Sequence, residues 1–423
     1  MDIFDKRYCT YRTMLKIVGL WPYNNSIYVW IQRLWLLIFF LGNIIFQVVS
    51  LSSEITLRNC ILILSLIFPL TIILVRYVSC VIFFSMIKLL FHHMRMGGNI
   101  IQDSTEIKIR KKYINDSCHM MNIFFWIIYG IAALSIIFIL YPMTLDFIMP
   151  LNRTRIRIIH YITIFPYNRT MYLDILSLNF MFVGIFGSLS LACTESIFGL
   201  YCFHASILFK IIIYRIQKIV TYLTMFNLSS KQIDTKLTEL YRAVDIHNQT
   251  IGFINVMINN SGMQFLLSSL LCVISIGISL YRLVNAIIAR KEKDQLEIFI
   301  SFMILMAQLI ITFLCNYNNQ ILIDNSQELL NKCKYISAWY FVPLKVQKIL
   351  LLIMIRSSTS CTFHILGVFI PCYTGFSKVI YLNKYMIILI KIAAFQILKT
   401  SKKTRNMKKD KLTSIEAATE RGT

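Results

Sequence analysis

Two ionisable residues, Arg76 and Glu195, stand inside otherwise apolar runs. A charge at the centre of a lipid-embedded helix costs about 2.5–3.5 kcal/mol. Such residues therefore line a watery cavity, pair with each other, or escape. The sequence favours escape, with Arg76 snorkelling toward an interface and Glu195 near the cytoplasmic end of its run. Catalytic chemistry is not indicated. Ser, His and Asp occur without a nucleophile elbow, a metal motif or a Gly-rich phosphate loop, so the chain does not read as an enzyme and no cofactor is expected. His92 and His93 are adjacent and point to different helix faces, which does not suit shared metal ligation. The eleven cysteines include no Cys-x-x-Cys pair; within apolar runs they behave as small hydrophobes, and no disulfide is expected.

Apolar recognition fits better. Phe68, Ile72, Ile137, Tyr141, Phe180, Met181, Met303 and Met306 fall in the halves of four apolar runs that lie far from the basic loops. Polarizable Met and aromatic walls adapt to a ligand's shape without demanding hydrogen bonds, so these residues could line a pocket for a small hydrophobic molecule. The blander reading is that they face lipid or neighbouring helices. The last apolar run is the most polar of all, with Pro371, Cys372, Thr374, Ser377, Lys378, Tyr381, Asn383, Lys384 and Tyr385. Water along one helix of a protein without catalytic signatures suggests a pore, shared between subunits.

The elements that must position these residues are seven long apolar stretches near 31–52, 60–86, 119–143, 178–206, 264–285, 297–323 and 361–395. A hydrocarbon core about 30 Å thick needs roughly 20 helical residues, and runs this long in lipid read as helices. With 57% apolar residues and a mean hydropathy of +0.65, an all-α membrane protein with seven transmembrane helices is expected, embedded in the lipid bilayer. The net charge of +23 first suggests nucleic acid, but its distribution excludes that partner. The N-terminal arm and the loops after the second, fourth and sixth spans hold more than twice as many Lys and Arg as the opposite loops. The positive-inside rule then makes the N-terminus cytoplasmic and, with seven spans, the C-terminus extracellular. The basic tail, Lys399 to Arg421, runs against this bias. Residues 1–20 lack the apolar core and small-residue cleavage site of a secretory signal, so the first span is expected to act as its own insertion signal.

No linker or internal repeat divides the chain, which reads as one domain over 1–395 followed by a basic polar tail over 396–423. Two stretches outside the spans carry helical periodicity: Ile211, Ile212, Ile216, Ile219 and Val220, then Leu237, Leu240, Val244 and His247. The fourth and fifth spans are therefore expected to continue as packed cytoplasmic helices. Residues 325–356 are expected to form a similar buried helix leading into the seventh span. Asn152 and Asn168 head glycosylation sequons in the expected outer loop.

Several of these stretches resemble the insect odorant receptors. Ile17-Val18-Gly19-Leu20-Trp21-Pro22-Tyr23 precedes the first span, Cys202-Phe203-His204-Ala205 leads to Tyr214-Arg215-Ile216, and Ala243-Val244-Asp245-Ile246-His247 is followed by Phe253. In the last third Trp339-Tyr340, Pro343, Leu350 to Met354, Arg356-Ser357-Ser358 and Phe376 follow in the family's order. The resemblance covers about residues 10–380. It implies the tuning subunit of a ligand-gated, non-selective cation channel that works as a heterotetramer with a shared odorant co-receptor. It places that channel in the plasma membrane of olfactory sensory neurons. It further implies that small hydrophobic volatiles enter the apolar pocket, that the cytoplasmic helices anchor the subunits, and that the seventh helix lines the pore through Phe376, Ile380, Tyr385 and Ile388. Beyond Phe376 the family's Ser-Tyr-Phe ending is missing. Residues 381–400 are dominated by Ile, Lys, Tyr and Leu, as translated AT-rich noncoding DNA would be, and a missed final exon is the expectation.

Two relatives in architecture fit less well. A gustatory receptor should show Thr-Tyr then Gln-Phe late in the seventh helix, where this chain has Lys384-Tyr385 and Lys391-Ile392. A G-protein-coupled receptor would place the basic loops outside, and lacks support from either an Asp/Glu-Arg-Tyr or an Asn-Pro-x-x-Tyr step.

Overall fold

The computed structural model describes residues 9–24, 26–53, 55–96, 103–149, 163, 170–225, 229–289, 295–335, 339–362, 370–385 and 388, and the described secondary structure is helical. The helices are α1 (Cys9–Ile17), α2 (Ile27–Ser53), α3 (Leu57–Ile82), α4 (Phe84–Met96), α5 (Ser104–Ile148), α6 (Thr170–Met225), α7 (Ser230–Ala289), α8 (Gln295–Tyr335) and α9 (Leu344–Ser358). A further helix, α10, covers 373–385. Six of these, α2, α3, α5, α6, α7 and α8, are long and apolar enough to cross a membrane. The seventh expected span, 361–395, is described only around α10; the sequons and the tail over 396–423 lie outside the described residues.

Polar side chains set several helix ends. Thr56 caps α3 by accepting from the Asn59 amide at 3.2 Å, and Asp103 caps α5 by accepting from the Thr105 amide at 3.4 Å. Apolar content explains the rest. In water a 27-residue run such as α2 would have no partner for its Leu, Ile and Phe side chains. In lipid its exposed Trp35, Ile38, Leu41 and Ile45 meet hydrocarbon.

The extensions are longer than the apolar runs alone suggest. α6 has 56 residues and α7 has 60, so each overshoots a bilayer by about 50 Å at about 1.5 Å per residue. The long connection between the fourth and fifth spans is thus almost wholly helix. The link before the third span is also largely helix, formed by α4 and the start of α5. α6 is the axis of the bundle: every residue from 189 to 209 is buried, so it packs on all sides, unlike an amphipathic surface helix. On the side where the overhangs lie, α1, α4, α9 and the ends of α5 to α8 share one large apolar core, which includes Leu15, Phe91, Ile114, Ile212, Leu240, Leu329 and Val346.

The stretches that carry the resemblance make specific joints. Gly19 adopts φ +75°, a left-handed conformation that favours glycine. There the Leu20 amide donates back to the Leu15 carbonyl at 2.8 Å. The Tyr77 hydroxyl donates to the Val18 carbonyl at 2.8 Å and Arg33 Nε to the Gly19 carbonyl at 2.7 Å, while the Arg33 guanidinium stacks over Phe84 at 3.9 Å. In the second stretch, Arg215 grips Glu106 through Nε at 2.6 Å and a terminal nitrogen at 2.8 Å. Tyr214 and Lys218 both donate to Asp103, at 3.0 and 2.6 Å. These bonds, led by that from Lys218, hold the Asp103 carboxyl at about 2, below its usual range.

Candidate ligand chamber

Five helices enclose a cavity of about 400 Å³. α3 contributes Leu66, Ile72, Ile73 and Arg76; α5 contributes Ile131, Phe138 and Ile139; α6 contributes Phe180, Gly184 and Gly187. α7 and α8 close it with Phe265, Cys272, Phe299, Ile300, Met303 and Gln308, and Val379 of α10 reaches its edge. The volume lies in the lower part of the range of small-molecule sites, and the mainly apolar wall with a few polar groups matches their usual character. Gly187 belongs to the wall because of space: a Cβ there would meet Ile73 Cδ1 at 3.3 Å, so α3 and α6 approach closely across it.

Of the residues expected to bind ligand, Ile72, Phe180 and Met303 line this chamber together. Phe68 and Met181 are half-buried and are not part of its wall. Ile137, Tyr141 and Met306 turn outward with 61%, 58% and 37% of their surface exposed, so the structure does not bring them to the cavity. Period alone caused these misses. Ile137 and Met306 sit one step around the helix from the wall residues Phe138 and Ala307, a rotation of about 100°, and Tyr141 sits two steps from Ile139. The sequence also gave no sign of the polar wall residues Gln308, Thr312 and Asn316.

Arg76 and Glu195 form an ion pair, with side chains only 9% and 2% exposed. This corrects the snorkelling expectation: the two charges compensate each other inside the bundle. Both terminal nitrogens of Arg76 also face Cys315 Sγ at 3.7 Å. Toward the chamber's other end, Arg58 pairs with Glu297 at 2.6 Å and Arg282 donates to the wall residue Ser65 at 3.0 Å, tying α3, α7 and α8 together.

α10 presents two faces. Val379 and Asn383 are buried, and Val379 packs with Ile276 and Leu305. Ile380, Tyr385 and Ile388 are about half exposed, and Tyr385 meets Tyr381 hydroxyl to hydroxyl at 2.8 Å. Phe376 departs from the expected pore group. It packs against Phe313 of α8, ring centroids 5.5 Å apart, while the other three share the open face.

A bundle of helices long and apolar enough to cross a membrane, packed around an apolar chamber, defines a polytopic membrane protein. The sequence profile described as 7tm Odorant receptor matches residues 62–382, and the chain belongs to that family. Its shape is similar to the insect olfactory receptor OR5 from Machilis hrabei in complex with eugenol, with a TM-score of 0.72 at 12% identity, over 93% of this chain and 98% of that one. A second structure of that receptor gives 0.69 at 13% identity, over 92% and 98%. The fold is therefore that of the seven-helix insect olfactory receptors, in a multi-pass membrane protein that is a receptor and not an enzyme. No curated protein sequence matches the chain.

Proposed function

We propose that this chain is the tuning subunit of a ligand-gated, non-selective cation channel, binding small hydrophobic volatiles in the chamber and opening with a shared co-receptor in the plasma membrane of olfactory sensory neurons. The chamber carries this reading: its wall is mostly apolar and it lies at the junction of five helices. A ligand there touches α3, α5, α6, α7 and α8 at once, so it can favour one packing of the bundle over another. Binding opens the channel only to the extent that the open state holds the volatile more tightly. The eugenol complex of the Machilis hrabei receptor supports assigning small molecules to this fold.

Assembly with other subunits draws support from the opposite end. On α9, Leu344, Leu351, Leu352 and Ile355 form an exposed apolar stripe, continued by Tyr340 and Phe341. A contiguous patch of this kind suits a protein interface. The open face of α10, with Ser377, Ile380 and Lys384, and Ile388 beyond its end, is the surface we assign to the pore.

The test is whole-cell current in cells expressing the chain with and without the odorant co-receptor, challenged with a panel of volatiles. Evoked cation current only in the pair is expected. Silence in both conditions despite surface expression would overturn the channel reading.

A further inference from the structure

Arg76, Ser65, Ser135 and Ser188 are scattered polar groups on the other walls of the chamber, but on α7 and α8 the polar residues are aligned. Ser268, Cys272 and Ser275 recur at i, i+4 and i+7 and form a stripe on α7, while Gln308, Thr312 and Asn316 form one on α8. Cys272 Sγ and Thr312 Oγ1 meet at 2.9 Å and fix the antiparallel register of the two stripes. Ser275 then lies level with Gln308, and Ser268 with Asn316. Part of this polarity is satisfied within α8: the Thr312 hydroxyl donates to the Gln308 carbonyl at 2.7 Å, and Asn316 Nδ2 donates to the Thr312 carbonyl at 2.8 Å.

The remainder has no protein partner. Gln308 Nε2 and Oε1, the hydroxyls of Ser268 and Ser275, and Asn316 Oδ1 are buried without a hydrogen bond. Ser268, Ser275 and Asn316 are 2%, 0% and 4% exposed. Leaving such atoms unpaired costs their full desolvation, and all of these residues line the chamber. The chemistry of the vacancies is specific. Gln308 offers one donor and one acceptor side by side, and a ligand hydroxyl can satisfy both, donating to Oε1 while accepting from Nε2. An ether or carbonyl oxygen only accepts and leaves Oε1 bare; a hydrocarbon leaves both.

Resting on the chamber's proposed role as the ligand site, we propose that it selects small apolar molecules bearing one hydroxyl group, an alcohol or phenol. The hydroxyl sits at the level of Gln308 and Ser275, and the hydrocarbon body lies against Phe138, Phe180 and Met303. Gln308 is the residue that sets this specificity.

The experiment measures binding independently of gating, as the ligand-induced rise in thermal unfolding midpoint of the purified receptor. Two matched sets are titrated: thymol, its methyl ether and p-cymene; then menthol, its methyl ether and p-menthane. The hydroxylated member of each set is expected to half-saturate at a concentration about tenfold or more below its partners. Gln308→Leu, similar in volume, should abolish that preference while leaving p-cymene binding in place. Equal half-saturation across each set in the wild type, no shift with any of the six compounds, or a preference intact in Gln308→Leu would each overturn the proposal. The wild-type ranking needs no variant, and Gln308→Met and Ser275→Ala repeat the comparison should the leucine variant fail to fold. A receptor that binds thymol over p-cymene yet passes no current overturns the channel reading alone; currents evoked equally by thymol and p-cymene overturn this proposal alone.

Discussion

Arg76 and Glu195 show what a single residue's environment decides. Each is intolerable alone in a low-dielectric interior, and together they are stable because each supplies the other's counter-charge. Glu195→Leu or Arg76→Met should therefore destabilise the protein by about 3–5 kcal/mol, and the two replacements together should recover most of that loss. Thermal unfolding of the four proteins checks the cycle. A second residue couples the core at the overhanging end of the bundle to pH. The His93 ring packs on His204 and Phe253, with centroids 5.6 and 5.1 Å away, and burial, then its neighbour His92, hold its imidazole below the usual histidine range. A depressed folded-state pKa means stability that is present above the unfolded value and lost as pH falls through the folded one. The unfolding midpoint should drop as pH falls below about 7, and His93→Phe should lessen that dependence. Neither environment was legible beforehand. The charges of Arg76 and Glu195 could be located within spans, but a pairing between distant helices is a tertiary fact that one sequence does not contain.

Elements were more legible than residues, because hydrophobic period survives without knowledge of partners. Ile211 to Val220 and Leu237 to Val244 predict helix, and α6 and α7 are continuous through both stretches. The same logic read residues 325–356 as one buried helix, whereas α8 runs on to Tyr335 and α9 begins separately at Leu344, with one face buried and the other open. Val346, Leu350 and Ile353 are buried, while Leu351, Leu352 and Ile355 are open. Charging that open stripe with Leu352→Asp and Ile355→Asp should leave the subunit folded, since neither side chain is in its core, and should reduce co-purification with the co-receptor by at least tenfold. Equal recovery of the complex would remove α9 from the assembly surface. Chamber residues were legible only to the nearest turn: four of the five helices around the cavity were named, α7 was not, and of the eight named residues Ile72, Phe180 and Met303 line it.

At the scale of the whole molecule, the number and order of spans followed from bilayer thickness and apolar run length, and the same shape recurs in a receptor only 12% identical. What tolerates such divergence is the pattern of apolar burial, which many side-chain sets satisfy. The sidedness inferred from the basic loops predicts that an epitope at the N-terminus is stained only after cells are permeabilised; staining of intact cells would reverse the topology. The continuous course of α6, buried on every side from Leu189 to Phe209, has one more consequence, and it is mechanical. From Gly187 at the chamber to Met225 the helix runs unbroken for about 57 Å, with no proline to absorb bending. A rod of that length is a lever. A tilt of about one degree at the chamber moves its far end by about 1 Å, the size of displacement that switches packed subunit interfaces, so a molecule too small to move a domain can still move a joint.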